Sequence, residues 1–446
     1  MSTVVALSTP RGRGALAVVR LSGPEAISIA QQLARVDSFA ARHATLTELW
    51  AGDEVLDQVL LTSFPAPHSL TGEDVVEISC HGSPAIVRRI IDATLASGAM
   101  LAGPGEFTLR ALTNGKINLA QAEAIRDLIA AQTDAAVKQA ARQLNGELSN
   151  ALEPFKEKLI DVIVLLESAL EFVEDDLPLP QVDQIERNLE FVLAGVGALS
   201  ESYGSGRLLQ EGARVAIAGR PNVGKSSIFN ALVRYERAIV TDVPGTTRDT
   251  LSEAIDIGGV PVLLTDTAGL RETTDSVETL GIERTRRAMG DADLVLLVLD
   301  GSSKVGPEDR DLLQRTSDVE RVVIMNKCDL PSFESLSLCV PEVQAINVSA
   351  RTGAGLATLH DAIVAKLNSA AAENGSLLIT NARHYDLLCN AKREIEAARQ
   401  CFRDRHSEEL VLAPLHNALK LLGQITGETT TEDILSEIFA TFCIGK

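Results

Sequence analysis

The sequence predicts a multidomain fold in which an α+β N-terminal domain is followed by a long α-helical domain, with a doubly wound α/β domain inserted into the helical one. Three observations carry this expectation. The chain has 446 residues, more than one hydrophobic core ordinarily serves. Its composition, 45% apolar and 23% charged, is that of a globular protein able to bury several cores. Its apolar periodicity changes from short β-like runs to helical spacing, then to alternating strands and helices, and finally back to helical spacing.

In residues 1–119 the runs VVAL, ALAVVRL, VLLTSF and DVVEIS read as strands, and PEAISIAQQLARV and PAIVRRIIDATLAS read as helices, with Gly and Pro between them. Residues 120–211 form the first part of the helical domain. Ile125, Leu128 and Ile129, and later Leu159, Val162, Ile163 and Leu166, recur at helical spacing, and EDDLPLP is the one clear break. Residues 212–370 read as the inserted domain, with RVAIAG, VLLTD, LVLLVLD, RVVIMNK and AINVSA as strands. In residues 371–446 the helical pattern returns at Leu387, Ala391, Ile395 and Ala398, then at Leu412, Leu415, Leu419 and Leu422.

The formal charge of −20 argues against a chain that grips nucleic acid by its overall field, and 3% aromatic residues argue against a base-stacking face. The six cysteines make no C-x-x-C and no zinc spacing, which suits a reducing compartment. The N-terminus lacks a charged region ahead of an apolar stretch, and no apolar run is long enough to span a bilayer. A cytoplasmic protein with no membrane contact is expected.

GRPNVGKS, Gly219 to Ser226, satisfies G-x-x-x-x-G-K-[ST] between a strand and a helix. Backbone N–H groups there can cradle a β-phosphate, Lys225 can reach the β/γ oxygens, and Ser226 can offer its hydroxyl to Mg²⁺. DTAG, Asp266 to Gly269, ends another strand and places a carboxylate near that metal. GTTRD, Gly245 to Asp249, supplies threonines between the two. NKCD, Asn326 to Asp329, ends a third strand, where Asp329 can accept both N1–H and the exocyclic amine of guanine; SAR, Ser349 to Arg351, can place a backbone N–H on the guanine carbonyl. Five such motifs in this order predict a GTP-binding domain of the Ras-like P-loop kind.

Leu270 stands after DTAG, where Ras-like enzymes commonly place a glutamine that orients the attacking water. Hydrolysis therefore needs another device. Asn222 can turn an amide oxygen toward the phosphates and help hold a monovalent cation. Glu278 either polarises the water or is a solvated loop carboxylate.

The flanking segments STPRGRGALAVVRLSG, LTGEDVVEISCHGSP, GPGEFTLRALTNGKINLAQAEAI and ITGETTTEDILSEIFATFCIGK, together with the inserted position of the α/β domain, resemble the MnmE (TrmE) family of bacterial tRNA-modification GTPases over essentially the whole length. The resemblance implies an N-terminal domain that binds a tetrahydrofolate derivative (5-formyl- or 5,10-methylene-tetrahydrofolate), with contacts at Arg20, Glu77 and Lys116, and that forms a constitutive homodimer. It implies K⁺-dependent GTP hydrolysis, with Asn222, Thr241, Val243 and Thr246 around K⁺, Ser226 and Thr247 on Mg²⁺, and Glu278 as catalytic glutamate beside Lys225. The GTP contacts then fall on Asn222, Val223, Gly224, Lys225, Ser226 and Ser227; on Thr241, Asp242, Val243, Pro244, Gly245, Thr246 and Thr247; on Asp266, Thr267, Ala268 and Gly269; and on Asn326, Lys327, Asp329, Ser349, Ala350 and Arg351. Pro244 departs from the family's loop and would stiffen it.

The implied product is a wobble uridine bearing a (carboxymethyl)aminomethyl group at C5. It is made with a flavoprotein partner, MnmG (GidA), in a heterotetramer or larger, and tRNA is held mainly through that complex. The alternatives are a ribosome-assembly or signalling GTPase without folate chemistry, and a folate-binding scaffold that only senses GTP. The tail FCIGK does not fit a prenylation box, because Gly445 and Lys446 occupy the wrong positions. Family resemblance brings this tail toward the folate site across the dimer, which makes Cys443 either a functional thiol or a packed one, and Lys446 a folate contact.

Overall fold

The computed structural model describes residues 2–171, 179–239, 252–266, 290–334, 343–367, 377–428 and 432–445. The chain forms two compact units, one of residues 1–126 with 423–446 and the other of residues 127–422.

The first unit is built on a six-stranded mixed sheet. Its strands are β1 (Val4–Leu7), β2 (Leu16–Ser22), β3 (Thr45–Ala51), β4 (Glu54–Phe64), β5 (Val75–His81) and β6 (Met100–Leu101), in the order β3-β4-β5-β2-β1-β6. Alternation along the strands sends Val19, Leu21, Val59, Leu61, Val76 and Ile78 to one face, where they pack with Ile29, Leu33 and Ile90 of the helices Ala26–Ala34 and Pro84–Ala96. Apolar alternation does not announce β3, because only Leu49 of TLTELWA is fully buried, nor the two-residue β6.

The C-terminal segment belongs to this same unit. Phe439 and Phe442, at the end of the helix Glu432–Ala440, bury against Leu119 and Ala122. Beyond them Gly105 N donates to the Cys443 carbonyl at 3.2 Å, and Ser8 Oγ donates to the Gly445 carbonyl at 3.0 Å. The tail thus lies on its own chain's N-terminal fold. Gly445 is required there: its φ is +98°, and a Cβ would stand 2.1 Å from the Leu7 carbonyl oxygen.

The second unit joins long helices to an α/β sheet. The helix Leu179–Glu201 packs against both Glu147–Glu171 and Ala382–Arg403, and Glu186 pairs with Arg399 and Arg403 across the latter contact. The break expected at EDDLPLP falls largely outside the described residues. From the helix Tyr203–Glu211 the chain enters β7 (Ala213–Ala218), followed by β8 (Arg237–Ala238), β9 (Ser252–Ile257), β10 (Val260–Asp266), β11 (Leu294–Asp300), β12 (Arg321–Asn326) and β13 (Ala345–Asn347).

Their order is β13-β12-β11-β7-β10-β9-β8, parallel from β13 to β10 and antiparallel at β9 and β8. Both faces are covered. Leu294, Leu296 and Val298 enter the core beneath the helices Lys225–Tyr235 and Leu356–Lys366, while Val295, Leu297 and Leu299 face the core containing Leu313. This burial on both sides is why LVLLVLD reads as a continuous apolar run. The fold is therefore the expected one: an α+β N-terminal part, long helices, and an inserted P-loop α/β domain.

Candidate functional site

In an open parallel sheet the loops leaving the strands' C-terminal ends converge where strand order reverses. Here that point is β7, flanked by β11 and β10. The loop after β7 runs from Gly219 to Gly224 and opens the helix Lys225–Tyr235, so its N–H groups point out of a helix N-terminus. Gly224 has φ +97°, and a Cβ on it would meet Asn326 Nδ2 at 2.2 Å. Lys225 is buried, with Nζ donating to the carbonyls of Gly219 at 2.9 Å and Arg220 at 2.8 Å, so its charge is already coiled within the loop. Ser226 Oγ donates to Asp266 Oδ2 at 2.7 Å, which joins the hydroxyl and carboxylate read as the Mg²⁺ side. Hard oxygen donors of this kind suit that ion.

The base side is braced by NKCD. Asn326 Nδ2 donates to the Val223 carbonyl at 3.0 Å, and its Oδ1 accepts from Ala350 N at 3.2 Å, so one buried amide ties β12, the P-loop and the SAR loop together. Asp329 Oδ1 accepts from Ser349 Oγ at 2.7 Å, which orients the carboxylate, and its Oδ2 has no partner among the described residues. Ser227, Ala350 and Arg351 line a cavity of about 500 Å³ together with Arg234, Tyr235 and Leu356.

Asp300 and Ser302 belong to this site, although the motif reading missed them. Lys327 Nζ lies 2.5 Å from Asp300 Oδ2 and donates to the Asn222 carbonyl at 3.2 Å. Burial opposes ionisation of Asp300, but the Lys327 ammonium and the Ser302 donors outweigh it and hold the carboxyl below its ordinary range. A carboxylate closing an otherwise apolar strand, next to the strand that ends in NKCD, was the signal available in the sequence. Asn222 itself is exposed, with φ +64° and no side-chain partner among the described residues, so its amide oxygen is available to a cation.

In the first unit, Arg20 and Glu77 face each other across β2 and β5 and pair through Nε at 3.0 Å and Nη2 at 2.8 Å. Lys116 lies against Gly72, where a Cβ would stand 3.3 Å from its Cε. Arg110 is the unannounced buried charge nearby, held by Glu73 and Glu106, each at 2.8 Å. Cys443 is exposed, whereas Cys80 is a packed thiol pushed up to about 11, first by burial and then by the Asp57 charge. Thr241, Asp242, Val243, Pro244, Gly245, Thr246, Thr247, Thr267, Ala268, Gly269, Leu270, Glu278 and Lys446 lie outside the described residues.

Comparison with known proteins agrees with this layout. Residues 3–116 match the description "GTP-binding protein TrmE N-terminus", and residues 119–443 match "MnmE helical domain". The chain belongs to the MnmE family. The tRNA modification GTPase MnmE of Koribacter versatilis is 43% identical over 100% of this chain and 99% of its own length. The MnmE of Aquifex aeolicus is 42% identical over 99% of each, and that of Chloroflexus aurantiacus 43% over 100% of this chain and 99% of its own. Membership of the MnmE family thus extends to both units and the inserted domain. Among the described residues no helix is long and apolar enough to cross a membrane.

Proposed function

We propose that this chain hydrolyses GTP in the modification of tRNA, working in the cytoplasm. One observation carries the proposal: in a chain whose full-length relatives are named tRNA modification GTPases, Lys225 opens the helix that follows β7, Asp266 ends β10 and Asp329 lies just beyond β12. Asp329, oriented by Ser349, reads the guanine edge. Lys225 exchanges loop carbonyls for phosphate oxygens, and Ser226, with Thr247 and Asp266, forms the Mg²⁺ side.

The finer reading is a K⁺-dependent enzyme, with Asn222, Thr241, Val243 and Thr246 holding K⁺. Bound there, the two cations offset the charge that develops on the transferring phosphoryl group. With Leu270 unable to orient water, that task falls to Glu278. That the Asn222 amide has no side-chain partner among the described residues supports the cation assignment.

The Arg20–Glu77 pair, with Lys116 and Lys446, is proposed to bind a tetrahydrofolate derivative, and Cys443 to act beside it. A second copy of the chain is proposed to cover the outer face of the N-terminal sheet, where Leu16 is 70% and Leu46 63% exposed. A net charge of −20 leaves the grip on tRNA mainly to a complex with the flavoprotein MnmG (GidA). Nucleoside analysis of tRNA from cells lacking the protein tests the proposal. The C5 (carboxymethyl)aminomethyl group of the wobble uridine is expected to be missing; its full retention would overturn the reading.

A further inference from the structure

Two non-glycine residues of the nucleotide site, Asn222 and Lys327, hold left-handed backbone, with φ of +64° and +68°. Such a conformation costs free energy and persists only where the surroundings impose it. Both residues meet at one ammonium. Lys327 Nζ donates to the Asn222 carbonyl at 3.2 Å and to Asp300 Oδ2 at 2.5 Å. The other carboxylate oxygen of Asp300 accepts from Ser302 N at 2.9 Å and Ser302 Oγ at 2.6 Å, so the anchor is itself fixed.

Beside this contact, Asn326 Nδ2 grips the Val223 carbonyl. Two consecutive side chains of NKCD therefore hold two consecutive P-loop carbonyls, and Asp329 follows two residues later. The place from which the Asn222 amide extends is set by the segment that carries the guanine reader.

We propose that Asp300 is a positioning residue that couples guanine recognition at Asp329 to monovalent-cation binding at Asn222, acting through Lys327. The inference rests on the reading of Asn222 as a K⁺ ligand. Asp300 holds the lysine, and the lysine holds the carbonyl. Seating guanine on Asp329 steadies the NKCD segment, keeps Lys327 on the Asn222 carbonyl and so preorganises the amide. By reciprocity of linkage, K⁺ then tightens guanine nucleotide binding by the same factor. Replacing the carboxylate by an amide removes the charge-assisted bond that keeps Lys327 in place.

The test uses the full-length chain and its Asp300→Asn and Ser302→Ala variants. Calorimetry gives the dissociation constant of a non-hydrolysable GTP analogue across a K⁺ series with Na⁺ holding ionic strength constant, and turnover gives the K⁺ concentration at half-maximal rate. In the unsubstituted protein, affinity is expected to rise with K⁺. In Asp300→Asn that rise should shrink to within about twofold, and the half-maximal K⁺ should climb about tenfold, the scale of a lost hydrogen bond to a charged group.

Ser302→Ala, which keeps the carboxylate but loses one of its donors, should move both readouts in the same direction by about threefold, and it carries the test if Asp300→Asn does not fold. Unchanged K⁺ responses in the variants, beside a K⁺-responsive parent, overturn the coupling, as does weaker nucleotide binding with an unchanged K⁺ response. A parent indifferent to K⁺ against Na⁺ overturns the cation reading itself, before any substitution is made.

Discussion

The nucleotide site and the Arg20–Glu77 site are assembled in different ways. At the first, groups from β7, β10, β11 and β12 gather at one end of a parallel sheet, and side chains brace backbone: Asn326 on Val223, Lys327 on Asn222, Lys225 on Gly219. At the second, antiparallel strands each contribute one side chain to one face of the sheet, and the chain's far end is tied to the same unit through Ser8 and Gly445, 437 positions apart. A parallel sheet concentrates chemistry in contiguous loops. An antiparallel face scatters it, one residue per strand.

The largest effect is expected from breaking the first kind of site at its tightest point. Gly224→Ala places a side chain at φ +97° and drives a Cβ to 2.2 Å from the amide that braces Val223. Left-handed strain of about 1–2 kcal/mol, added to a displaced Asn326, should weaken GDP binding at least about a hundredfold. Calorimetric titration with GDP checks it; affinity within about threefold of the parent would show that the brace is dispensable.

This contrast also explains what was legible. RVAIAG, VLLTD, LVLLVLD, RVVIMNK and AINVSA all became strands, because a sheet covered on both faces writes itself as apolar runs with motifs at their ends. β9 (Ser252–Ile257) escaped notice because Ser252, Glu253 and Asp256 break up its apolar residues, and β3 because most of its side chains stay partly exposed. In the sequence Asp300 is a strand end and not an anchor, since nothing local tells which lysine a carboxylate will meet. Arg20, Glu77 and Lys116 were reached only through family resemblance. The structure pairs the first two and sets Lys116 against Gly72. Ser8 and Gly105, which hold the tail, had no sequence signal at all.

A smaller and more selective effect should come from the second site. In Gly445→Ala a Cβ at 2.1 Å from the Leu7 carbonyl unseats the tail, while Phe439 and Phe442 keep the last helix buried. GTP turnover is expected to stay within about twofold of the parent, and tRNA modification to fall at least about tenfold, roughly 1.4 kcal/mol of transition-state stabilisation. Equal losses in both activities would mean that the tail acts through folding and not on the N-terminal site.

The smallest expected effect concerns an exception within the nucleotide-binding fold, a buried side-chain oxygen left without a hydrogen bond among the described residues. Glu236 follows the P-loop helix, and its buried Oε1 has no hydrogen bond among the described residues; His360 Nε2 is 3.7 Å away. Burial pushes this carboxyl up, His360 works in the opposite direction, and Asp256 adds to the rise. The folded chain therefore holds the Glu236 proton more tightly than the unfolded one. Stability contributed by the neutral form is present below the unfolded carboxyl's range, about pH 4.3, and is lost as pH rises through the folded value. Glu236→Gln keeps the shape without the charge. It should melt higher than the parent at pH 8, with the gap closing as pH falls toward about 4, and GTP turnover should not change. Coincident melting curves at pH 8 would mean that solvent reaches the Glu236 carboxylate and compensates its charge.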